Sequence, residues 1–112
     1  MEITVSDFGA TGKRVTLTGK LDIAGADKLD LPLAAIAGER RSVVVDMGAV
    51  DFIASIGIRH LVMAAKAIAR GNGRFVLLNP TPFVTEVLTV SGLQQILPIV
   101  RSEDEARAAL QL

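Results

Sequence analysis

The chain contains no cysteine, which excludes disulfides and thiol catalysis. With a single histidine it also lacks most ways of assembling a zinc site. It has no net charge: 12 basic and 12 acidic residues cancel, so the excess of Lys and Arg that marks a nucleic-acid binder is missing. No apolar stretch reaches the roughly 18 to 20 residues needed to cross a bilayer. The first residues, Met1-Glu2-Ile3-Thr4-Val5-Ser6-Asp7, alternate like a strand and carry neither the basic region nor the apolar core of a secretory signal. No internal repeat or low-complexity segment interrupts the pattern. What is present is apolar mass: 50% of 112 residues, enough for one core covered by short helices. The expectation is one cytoplasmic domain over residues 1–112, with no nucleic-acid partner and no membrane insertion.

Turn residues divide the chain into short elements. Ile3 to Val5 and Arg14 to Leu17 alternate like half-buried strands and predict an opening hairpin around Gly9 to Gly12. Leu29, Leu33, Ala34, Ile36 and Ala37 predict a first helix, with Pro32 in its first turn or bending it. The β-branched run Val43 to Asp46 predicts a buried strand, followed by a loop through Gly48-Ala49-Val50-Asp51. Ile58, Leu61, Val62, Ala65, Ile68 and Ala69 then recur at helical spacing and leave Arg59, Met63, Lys66 and Arg70 on the other side. Gly71 is placed as the stop of that helix, in left-handed geometry.

A strand over Arg74 to Leu78 comes next, then a helix capped by Asn79-Pro80 and ending near Ser91-Gly92. Gln95 to Val100 is read as a last strand, and Ser102 with Glu103, Asp104 and Glu105 opens a terminal helix. Strands linked by helical crossovers become parallel neighbours. The predicted fold class is therefore α/β: a mixed, mostly parallel sheet packed against about four helices.

Ser55 falls between the strand-like run and the helical repeat, at or beside a helix N-cap. A phosphate there would meet free backbone N–H groups and the positive end of the helix dipole, so the protein carrying it would tolerate it. Capping alone also explains a serine at this place. Asp22, before Ile23-Ala24-Gly25, is read as an N-cap or turn residue. Ile53, Ile56 and Met63 are read either as an exposed apolar contact surface or as packing against a neighbouring helix, with Arg59 and Lys66 beside them free to pair with an acidic partner. His60, with no carboxylate or cysteine near it at metal spacing, is read as a helix-surface residue. Asp46 and Asp51 are assigned to strand-end and turn roles, because no paired base or oxyanion donor accompanies them. Arg70-Gly71-Asn72-Gly73-Arg74 lacks the spacing and lysine of a phosphate loop and is read as a turn.

The order of these elements resembles a STAS domain of the anti-sigma factor antagonist class. Four segments carry the resemblance: Leu17-Thr18-Gly19-Lys20-Leu21-Asp22; Val43 to Met47 with Val50 to Ile58; Gly73 to Pro80; and Val90-Ser91-Gly92-Leu93. In that family the unphosphorylated domain binds an ATP-dependent anti-sigma factor serine kinase of histidine-kinase-like fold and frees the sigma factor. Phosphorylation by that kinase ends binding, and a serine phosphatase reverses it. The resemblance implies that Ser55 is the phosphoacceptor and that Asp22 is a conformationally important acid near the kinase contact; taken with the contact-surface reading, the expected partner-binding residues are Asp22, Ile53, Ala54, Ser55, Ile56, Gly57, Arg59 and Met63. It implies no enzymatic activity, no cofactor and no metal. Two positions depart from the family pattern: Ala54 stands where an acidic residue commonly precedes the serine, and Ile56 where a hydroxyl residue often follows it. Two other functions remain compatible with the sequence. One is a STAS accessory subunit of an ABC-type membrane transporter, docked on the ATPase without a phosphorylation cycle; the other is an enzyme or nucleotide-binding module, for which no motif is present.

Overall fold

Alternation at the N-terminus builds one edge of a five-stranded sheet. In the computed structural model, which describes residues 1–112, β1 (Glu2–Phe8) and β2 (Gly12–Leu21) pair antiparallel. The remaining elements are α1 (Ile23–Gly38), β3 (Val43–Ile53), α2 (Ser55–Arg70), β4 (Phe75–Leu78), α3 (Pro82–Val90), β5 (Ile99–Val100) and α4 (Glu103–Leu110). Strand order equals chain order, and every pair after the first is parallel, each joined through a helix. The fold is thus the mixed, mostly parallel α/β sheet with four helices that the pattern predicts. No helix is long and apolar enough to cross a membrane.

The two sheet faces are covered unequally. Val15, Leu17, Val43, Val45 and Met47 point to one side and join Leu29, Leu33, Leu61, Ile68, Val84 and Leu88 from α1, α2 and α3 in a core of 19 buried residues. Val44, Val76, Leu78 and Val100 point to the other side, where Phe8 and α4 complete a core of only 7. This two-sided burial is why Val43-Val44-Val45 is continuous instead of alternating. On the thinner side the guanidinium groups of Arg14 and Arg107 both lie over the Phe8 ring, 5.3 and 5.2 Å from its centre. Arg14 also pairs with Asp46 at 3.3 Å and with Glu103, which ties α4 to β2 and β3.

Several local expectations are corrected. β3 continues to Ile53, through the segment expected to be a loop, because β2 follows it in parallel with register shifts at Thr16/Thr18 and Gly19/Lys20. Pro32 lies in the middle of α1, not its first turn. It has no N–H to offer the Lys28 carbonyl, and the buried Leu29, Leu33 and Ile36 hold the helix through it. At the end of α2, Gly71 is the C-cap with φ −90°, and the left-handed residue is Asn72 with φ 66°. α3 is capped by Thr81, whose hydroxyl accepts from the Val84 N–H, with Pro82 rather than Pro80 at the first helical position. Asn79 instead takes a left-handed turn with φ 53°. The last strand is confined to Ile99 and Val100.

Candidate functional site

Parallel strands that feed helices bring the helix starts to one edge of the sheet. β2 ends at Leu21 and β3 at Ile53, which are register partners, so the starts of α1 and α2 emerge side by side. The Ala54 N–H donates to the Leu21 carbonyl at 3.0 Å, which fastens the second helix start to the chain just before the first. Gly57 makes that approach possible. A Cβ there would lie 2.7 Å from both the Leu21 carbonyl oxygen and Leu21 Cγ. Gly25 does the same for α1, where a Cβ would lie 2.5 Å from the Lys20 carbonyl oxygen.

The two starts are chemically different. α1 has a side-chain cap: Asp22 is extended, with φ −97° and ψ −162°, and its Oδ1 accepts from the Gly25 N–H at 2.9 Å. This is the capping reading of Asp22, achieved at a half-buried position beside the second helix start. α2 has none. Its N-cap is Ala54, which has no side-chain acceptor, and Ser55 is the first helical residue and exposed. Ser55 is therefore beside the N-cap and does not cap the helix. The first-turn N–H groups of Ser55, Ile56 and Gly57 have no intrahelical acceptors, and no acidic residue lies in that turn. An anion on the Ser55 hydroxyl would find both unused donors and the positive helix end within one turn.

The residues read from sequence as a contact surface separate into two groups. Ser55, Arg59 and Met63 are exposed, Met63 by 57%, while Asp22, Ala54 and Ile56 are partly exposed. Ile53 is only 4% exposed and Gly57 is buried, so both hold the helix start from beneath and offer little surface. Strand alternation explains Ile53: it points into the core and Phe52 points out, 40% exposed. Ile23, the first residue of α1, is 71% exposed. Phe52 and Ile23 are flanking apolar residues that the sequence reading missed. For Phe52 the signal was present in the period-two pattern, had β3 been extended to Ile53.

His60 differs most from its expected place. Its side chain is only 13% exposed, and Nδ1 lies 2.7 Å from Asp30 Oδ1, bridging α2 to α1. Asp27 stands one turn before Asp30, and the potential ligand atoms of the three residues lie within 4.8 Å of one another. The carboxylates missing from the sequence neighbourhood are supplied by packing. The pair itself lines a groove of about 400 Å³ between α1 and α2, together with Leu33, Ala34, Met63 and Ala67 and with Lys66 and Arg70.

Comparison with known proteins places this geometry among relatives. The STAS domain profile matches residues 10–106. The chain is 39% identical over 97 residues to a Bordetella bronchiseptica protein named "Putative anti-sigma factor antagonist BtrV", covering 85% of this chain and 83% of the relative. An anti-sigma factor antagonist from Mycobacterium paratuberculosis has a similar structure, with TM-score 0.87 and 21% identity over 99% of this chain and 94% of the other. The anti-sigma factor antagonist SpoIIAA in its unphosphorylated form superposes with TM-score 0.82 and 18% identity, over 99% and 98% of the two chains. The phosphorylated form of SpoIIAA, a Bacillus protein, gives 0.74 and 17%, over 96% and 98%.

Proposed function

The chain belongs to the STAS domain family and to its anti-sigma factor antagonists, and from that membership we propose that it is a cytoplasmic partner-switching regulator. In its unmodified form it binds an anti-sigma factor that is a serine kinase, and so frees a sigma factor. Transfer of a phosphoryl group from ATP to the Ser55 hydroxyl ends the binding, and a separate serine phosphatase restores it. The protein is a substrate and a binding partner in this cycle, not an enzyme.

One observation carries the reading: Ser55 is the exposed first residue of a helix whose cap position, Ala54, has no side-chain acceptor. A serine retained only for capping would stand one residue earlier and accept from the backbone, as Ser102 does in α4. The uncapped start leaves donors for a phosphate, so modification need not disturb the fold. The effect falls on the partner. A phosphoserine adds about −1.5 to −2 charges. Against one partner carboxylate at ~4 Å, at an effective dielectric of ~20, a single unit charge is repelled by about 4 kcal/mol. Half of that already lowers affinity by more than tenfold, since ~1.4 kcal/mol is one decade.

The test is to incubate the purified protein with ATP and each candidate anti-sigma kinase of the same genome, then locate added phosphate by mass spectrometry. The reading expects one phosphate, on Ser55, lost in Ser55→Ala. Transfer to another residue, or none from kinases that are active on other substrates, overturns the switch.

A further inference from the structure

We propose that one face of α2, together with the groove it shares with α1, is the seat of an acidic amphipathic helix of the partner protein. The proposal deepens the reading above and rests on Ser55 being the switch residue. Ser55, Arg59, Met63, Lys66 and Arg70 fall within about 80° of one another at ~100° per residue, so they form a single stripe about 22 Å long. All five are exposed. α2 contains no acidic residue, and none of its three cations is in any ion pair, although the chain as a whole is neutral. Four of the twelve acidic residues pair with Lys or Arg outside α2, Asp46 and Glu103 with Arg14, Asp7 with Lys13 and Glu39 with Arg41, while Asp30, on the α1 side of the groove, bonds His60. Along this stripe the three cations are unpaired, and the one carboxylate lining the groove is Asp30, across it on α1.

The groove supplies the apolar half of the match. Leu33 and Ala34 of α1 face Ala64 and Ala67 of α2 across it, and Met63, 57% exposed, stands at its edge. Small residues admit a second helix closely, and a methionine adapts to its side chains. The complementary element is a helix with carboxylates at steps of four and three, which answer the cations, beside an apolar edge that enters the groove. The same arrangement explains how one phosphate could act on a contact of this length. Ser55 lies at the end of the stripe and one turn from Arg59, so a phosphoserine pairs with Arg59 in cis and adds negative charge where the partner is acidic. Attraction is lost and repulsion is gained in a single step.

The probe is a synthetic helix of roughly 18 residues, with glutamates at steps of four, three and four beside a leucine edge, and a control with lysine at those positions. Binding is followed by NMR shift mapping on the full protein. The expected result is shift changes on α1 and α2 and a preference for the glutamate peptide of about tenfold or more, lost in the double variant Lys66→Glu/Arg70→Glu and reduced by Ser55→Asp. Both altered side chains of the double variant are exposed, and circular dichroism checks that it remains folded. No preference for the glutamate peptide, shifts outside α1 and α2, or equal binding by Ser55→Asp overturns the proposal. So does occupation of the same residues by a second copy of this chain or by anionic vesicles in place of the peptide. A protein that binds the peptide as expected but whose Ser55 no kinase modifies keeps this surface and loses the switch.

Discussion

The Leu21 carbonyl accepts from the Ala54 N–H at 3.0 Å, and this one bond holds the starts of two helices together. It joins residues 33 positions apart in sequence, at the ends of β2 and β3. The site residues follow it directly in the chain: Asp22 follows Leu21 and caps α1, Ser55 follows Ala54 and opens α2. A partner resting on this edge touches both helix starts.

Gly57 is the position that makes this approach possible. In Gly57→Ala the new methyl group would lie 2.7 Å from the Leu21 carbonyl oxygen, a backbone atom that cannot turn away. The expected outcome is a loss of about 1–3 kcal/mol in urea unfolding, although alanine favours helix at an ordinary site. Unchanged or increased stability would show that the two starts can separate without cost.

Asp22 is expected to stabilise through its cap. Asp22→Ala removes the acceptor of the Gly25 N–H and should cost about 1 kcal/mol, while Asp22→Asn, which keeps an oxygen at that position, should cost much less. Chemical denaturation of the two variants distinguishes them. If Asp22→Asn keeps its stability but loses partner binding, the carboxylate charge has a contact role beyond the cap.

The Asp30–His60 pair should couple α1 to α2 only modestly, because the Asp30 side chain is 60% exposed and screened by solvent. A double-mutant cycle with Asp30→Asn and His60→Gln is expected to give a coupling of about 0.5–1 kcal/mol that shrinks as salt is added. A coupling that is both large and insensitive to salt would contradict this description of the pair.

Asp7 provides a pH dependence. Its hydrogen bond and charge attraction to Lys13, 2.7 Å away, hold its carboxyl below the ordinary aspartate value. The unfolded chain therefore takes up the proton first as pH falls. The pair's contribution is fully present above the ordinary aspartate range and is lost as pH drops through the lowered value. In an NMR titration the Asp7 carboxyl should have a low midpoint that returns to normal in Lys13→Gln. An Asp7 midpoint unaffected by Lys13→Gln would contradict the assigned cause.

How much of this was legible in sequence varied with how local the determinant was. The Ser102 cap with its acidic first turn, and the placement of Ser55 beside a helix start, follow from neighbouring residues and were read correctly. Asn79-Pro80 and Thr81-Pro82 offer two consecutive caps, and the choice between them was made by packing: the Thr81 hydroxyl also donates to the Val50 carbonyl at 3.4 Å, and Val84 and Leu88 enter the main core. β3 was cut short because Gly48 reads as a turn residue, while its pairing with β2 lies beyond local view. For the same reason the sequence left open whether Ile53 is exposed or packed, and the longer strand places it in the core. The His60–Asp30 bridge spans 30 positions and has no local signature at all.

The most direct measurement is the affinity of the purified protein, unmodified and fully phosphorylated on Ser55, for the anti-sigma kinase that modifies it. The account predicts that phosphorylation weakens binding by at least about 2 kcal/mol, roughly thirtyfold, with the protein's fold unchanged by circular dichroism. Equal affinity of the two forms would contradict it.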